Sequence, residues 1–63
     1  MYIIVLDYSY DTVDIVYLIN DYSEIEDIEK QLVKKGYNLG DIEWMEISTH
    51  SLKMLGIKIF KNI

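Results

Sequence analysis

The chain has no cysteine, no proline, no arginine and a single histidine, His50, in its 63 residues. Without cysteine no disulfide can staple the fold, and one histidine cannot build a Cys/His zinc site. Without arginine the bidentate contacts that read guanine or clamp phosphate are missing. The three glycines, Gly36, Gly40 and Gly56, are dispersed and do not form a phosphate-cradling loop. No apolar run approaches the about 20 residues that a membrane span needs. The run Tyr2-Ile3-Ile4-Val5-Leu6 has no basic stretch before it and stops at Asp7. No secretory signal is therefore expected, and the expected setting is a cytoplasmic, membrane-free protein.

What the chain does have is apolar mass. Its hydrophobic fraction is 51%, with six tyrosines, one tryptophan and one phenylalanine. The length suits one domain, 1–63. A domain this small buries only about 60% of the surface of its unfolded chain, so its stability is marginal. So much apolar surface on so small an interior predicts self-association, and a homo-oligomer is expected.

Charge is unevenly placed. Residues 1–29 hold eight acids and no lysine, a charge of −8; residues 30–63 hold six lysines against three acids, +3, for a net −5. That field disfavours direct nucleic-acid binding and favours a protein partner with a basic surface.

The pattern predicts strand–strand–helix–strand–strand. Tyr2 to Leu6 is short, nearly continuous in apolar character and rich in β-branched residues, which predicts a buried strand. Residues 8–12 are polar and form the expected hairpin connection. Val13 to Ile19 is a second strand, with Val13, Ile15, Tyr17 and Ile19 on one face and Asp14, Val16 and Leu18 on the other. Ser23 with Glu26, or Asp21 with Glu24, fits a capping box. Ile25, Ile28, Leu32 and Val33 then recur near helical spacing. Acids open this segment, Lys34-Lys35 close it, and Gly36 follows as a natural C′ residue. The helix is expected over roughly 23–35. Ile42 to Ile47, anchored by Trp44, is a third strand. Residues 48–56 mix turn chemistry with a short helical pattern. Ile57 to Phe60 is a fourth strand, with Lys58 and Lys61 at solvent-facing or edge positions.

The expected fold is thus α+β, ββαββ: a four-stranded, mainly antiparallel sheet with one helix on one face. Ile25, Ile28 and Leu32 are expected to meet Ile4, Leu6, Ile15, Tyr17, Trp44 or Met45, and Ile57 or Ile59. The uncovered face would then carry Val16 and Leu18, the candidate dimer face.

Asp7, Asp11 and Asp14 could gather around a hard cation, but their spacing is not that of an EF-hand, and solvated turn carboxylates are the simpler reading. His50 sits among Ser48, Thr49 and Ser51 without a nucleophile motif, and reads as a turn histidine. No catalytic, cofactor or metal residue is assigned, and a non-enzymatic role is expected. Tyrosine offers large contact area with a polar tip at little entropic cost. The candidate partner surface is therefore Asp7, Tyr8, Tyr10, Asp11 and Asp14.

Gly36-Tyr37, followed by Asp41-Ile42-Glu43-Trp44-Met45, resembles short uncharacterised acidic bacterial proteins of phage and mobile-element type. The resemblance spans about residues 13–46 and covers a hairpin, an acidic helix, a Gly-Tyr turn and a Trp-Met strand. It implies no activity of its own, and it adds weight to a host- or defence-directed inhibitor. Two functions are therefore expected: a self-associating protein-interaction module, or an acidic inhibitor or regulator that imitates nucleic acid.

Overall fold

The computed structural model describes residues 1–54. The expected fourth strand, with Ile57 and Ile59, lies outside the described residues. Within them the order is β1 (Tyr2–Asp7), β2 (Thr12–Tyr17), α1 (Ile25–Lys34), a 3-10 turn (Leu39–Asp41), β3 (Ile42–Ile47) and α2 (Thr49–Met54). The three strands form one sheet in the order β2-β1-β3, and both pairings are antiparallel. The fold is therefore mixed α+β, with β1 central and with β2 and β3 parallel to each other on its two sides. Helix α1 makes the connection between those two outer strands.

β1 and β2 join through a four-residue turn, Tyr8 to Asp11. Asp11 has a positive φ of 53°, a conformation that aspartate tolerates better than most residues. Asp7 begins the turn as an Asx motif, its Oδ1 accepting from the Ser9 amide at 3.0 Å. At the other end of the hairpin the Met1 and Leu18 backbones exchange two hydrogen bonds of 2.7 and 2.8 Å, extending the pairing beyond the strand.

α1 is amphipathic, and its buried residues are Ile28 and Leu32. Neither capping box forms. The N-cap is Glu24, whose side chain makes no capping bond, and the helix opens one turn with Glu26 and Asp27 near its positive end. Ile25 and Val33, expected inside, are 64% and 51% exposed. Over its ten residues the helix buries only Ile28 and Leu32, which lie one turn apart. Its C-terminus is a Schellman motif: the Tyr37 amide donates to the Leu32 carbonyl at 3.1 Å and the Gly36 amide to Val33 at 3.0 Å. Gly36 adopts φ +99°, as the sequence predicts for a C′ glycine.

The core joins Ile28 and Leu32 to Ile3, Val5, Val16, Leu18 and Ile42, with Met1, Tyr22, Tyr37 and Trp44 packed at its margin. This corrects the expected face. α1 covers the side of Ile3, Val5 and Val16, not the side of Ile4, Leu6, Ile15, Tyr17 and Met45. The register sets Asp14 and Val16 opposite Val5 and Ile3 on the covered side, and the charge of Asp14 is accommodated at its edge by the 2.7 Å bond its carboxylate accepts from the Tyr37 hydroxyl. Because side chains alternate with period two, misplacing one residue inverts the whole strand.

Candidate interaction surface

The hairpin tip comes first, because the sequence points there. Its five expected residues do not form one surface. Asp7 is 7% exposed and bonded within the turn. Asp14 lies across the sheet from Val5, while Asp7 lies across from Thr12, so the two carboxylates are diagonal neighbours on the α1 side. Tyr37 sits near both. Its phenol is pushed well above the usual tyrosine value, first by burial, then by its bond to Asp14 and the negative charges of Asp14 and Asp7. Tyr8, Tyr10 and Asp11 alone point outward. The tip is also tied down: the Tyr8 amide donates to the Asp41 carbonyl at 2.9 Å, and Ser9 Oγ to Asp41 Oδ2 at 3.0 Å. Asn38 completes the latch, its Nδ2 donating to the same Asp41 oxygen at 3.1 Å and its Oδ1 accepting from the Gly40 amide at 3.0 Å. These contacts brace the hairpin against the 3-10 turn.

Among the described residues no three His, Asp or Glu side chains gather as a metal cage. His50 is exposed in α2 and makes no hydrogen bond within that set.

Val16 and Leu18, expected on the uncovered face, are 8% and 3% exposed and belong to the core beneath α1. They cannot serve as an interface. The register assigns the opposite face to Tyr2, Ile4 and Leu6 of β1, Val13, Ile15 and Tyr17 of β2, and Glu43, Met45 and Ile47 of β3. Eight of those nine side chains are apolar, and Glu43 carries the single charge. Val13 is 64% exposed and Met45 61%, with Leu6 at 37% between them. Tyr2, Ile4, Ile15 and Ile47 are half-buried. The rings of Tyr2 and Tyr17 pack across the strands at 5.0 Å in a tilted arrangement. Between β1 and β3 lies a hollow of about 160 Å³, lined by Ile4, Leu6, Glu43, Trp44 and Met45.

This face, whose most exposed apolar residues are Val13 and Met45 on its two outer strands, is the surface that the sequence reading did not single out. The signal was present: one strand parity has a single polar residue in nine. Five of its residues, Ile4, Leu6, Ile15, Tyr17 and Met45, are among those expected beneath the helix.

Among the described residues no helix is long and apolar enough to cross a membrane. Comparison with protein-family models, with curated proteins and with solved structures yields no match to this chain.

Proposed function

We propose that the chain is a non-enzymatic protein-interaction module that self-associates through the sheet face opposite α1. The observation that carries this reading is the composition of that face, eight apolar side chains and one carboxylate. An antiparallel sheet with one solvated side ordinarily turns polar residues outward. Here the exposed parity is the more apolar one, which suits a surface that is covered in use.

Size sets how strong that association can be. At the exposures of Leu6, Val13, Tyr17 and Met45, each copy offers on the order of 400 Å² of surface. Two copies would then bury roughly 800 Å² from these residues, below the about 1,000 Å² of a specific stable interface, so a weak, transient association is expected.

The alternative, an acidic imitation of nucleic acid, draws on the N-terminal carboxylates. It has less support, since Asp7 is buried and Asp14 is engaged by Tyr37.

The test is light scattering of the full chain across micromolar concentrations, beside Leu6→Lys. The wild type should pass from one chain to two as concentration rises. Leu6→Lys should weaken that association at least about tenfold, about 1.4 kcal/mol. A wild type that remains a single chain at high micromolar concentration overturns the proposal.

A further inference from the structure

We infer that α2 is a releasable strap on the sheet face opposite α1, seated there by Leu52, and that its release uncovers the part of the face that stronger association requires. The strap itself stands on the packing of a single chain; its regulatory role rests on the self-association proposed above.

Leu52 is fully buried, yet it stands outside the cluster that gathers around Ile28 and Leu32 beneath α1. A single sheet offers an apolar side chain two sides, and the side under α1 does not hold this one. The chain leaves β3 at Ile47, a residue of the opposite face, and α2 begins two residues later at Thr49. Ile47 pairs with Tyr2, the next level along β1 and β2 holds Ile4 and Ile15, and all four are half-buried. Leu6 and Val13, one level further from the start of α2, are 37% and 64% exposed. This gradient sets Leu52 over Tyr2, Ile4, Ile15 and Ile47. Tyr17 and Met45, on the outer strands at 38% and 61%, are the neighbours that such a seat leaves uncovered.

The seat is easily left. Six residues are too few for a helix to hold itself in water, and of the six only Leu52 is buried. The remaining restraints lie within the first turn: Ser48 Oγ accepts from the Ser51 amide at 3.1 Å, and the Leu52 amide donates to the Ser48 carbonyl at 3.0 Å. Among the described residues no salt bridge or side-chain hydrogen bond ties α2 to the sheet. An element held by so few buried contacts opens locally, ahead of the whole fold. With α2 seated, the exposed residues fall short of a stable interface. With α2 away, Tyr2, Ile4, Ile15 and Ile47 join them, and the apolar surface runs unbroken from Tyr2 to Val13. Only the open form then associates well, so the apparent affinity is lowered by the fraction of chains that are open.

The test reads the strap and the association separately on the full chain. Amide hydrogen exchange, at a concentration where the chain is single, should show the Leu52 amide at least about tenfold less protected than the Ile4 and Val5 amides of the central strand. Ser48→Ala removes the cap of α2 and no core side chain. It should speed exchange at Leu52 about fivefold while leaving β1 unchanged, as expected for loss of an N-cap serine. Sedimentation equilibrium should then show Ser48→Ala associating at least about fivefold more tightly than the wild type, because each copy opens more often. A Leu52 amide as protected as those of β1 overturns the strap. A Ser48→Ala chain that associates no more tightly than a self-associating wild type overturns its regulatory role. If wild type and variant both stay single chains at high micromolar concentration, self-association and its regulation both fall, while cap-dependent exchange at Leu52 still upholds the strap.

Discussion

The two faces of the sheet are built from the same three strands, yet the covered one is the more polar. Under α1 the register places Ile3, Val5, Val16, Ile42 and Trp44 together with Asp7, Thr12, Asp14 and Glu46. The open face has one polar residue, Glu43. The covered face can hold its polar groups because Thr12 and Glu46 stay exposed and the two aspartates are hydrogen-bonded. Asp7 accepts from its own turn and Asp14 from Tyr37. Among the described residues no buried side-chain nitrogen or oxygen lacks a partner. A small domain can therefore place its helix on the less apolar side when that side supplies complementary bonds.

The sharpest way to break the comparison is to remove one side chain from each face. Leu32 is fully buried beneath the sheet, and Leu32→Ala should cost about 2–5 kcal/mol. A chain of this length has a total stability of roughly 3–9 kcal/mol, so most of the folded population could be lost. Met45→Ala, on the open face, should change the stability of the dilute single chain by no more than about 0.5 kcal/mol. Urea denaturation at low concentration distinguishes them, and similar losses would mean that the open face is part of the intramolecular core.

The polar margin of the covered face comes next. Tyr37→Phe removes the donor to Asp14 and should cost about 1.5–3 kcal/mol at neutral pH, as for hydrogen bonds to charged groups. Because the folded-state pKa of Tyr37 is raised, the stability it contributes is fully present below the unfolded value near 10. That contribution is lost as pH climbs from there toward the folded value. The gap between wild type and Tyr37→Phe should accordingly narrow above pH 10. A gap that is constant with pH would detach Tyr37 from Asp14.

Among the losses expected on the covered side, Gly36→Ala is the smallest, about 1 kcal/mol. Nothing lies within 4 Å of the added methyl group, so the whole cost is that of φ +99° in the Schellman turn. A neutral substitution would show that the turn relaxes.

How much of this the sequence discloses follows from the range of each signal. Local signals were readable: Gly36 after a lysine-rich last turn, the hairpin punctuation, and the Trp44 strand, whose bounds Ile42–Ile47 agree with the structure. The helix start was not, since two capping patterns competed and the chain used neither. Face parity was also lost. It depends on the 23-residue separation between Asp14 and Tyr37, which no window of periodicity sees. The same inversion moved the candidate interface from Val16 and Leu18 to Leu6, Val13 and Met45. It also took Asp7 and Asp14 out of the expected acidic surface, leaving Tyr8, Tyr10 and Asp11 exposed at a tip braced by Asp41.

The central claim, that the open face is covered by a second copy, is tested most directly by the concentration dependence of mass in solution. Sedimentation velocity on the full chain, from low to high micromolar concentration, should show the mass rising from one chain toward two. Leu6→Lys should hold it near one. A wild-type mass fixed at 7.5 kDa throughout contradicts the account.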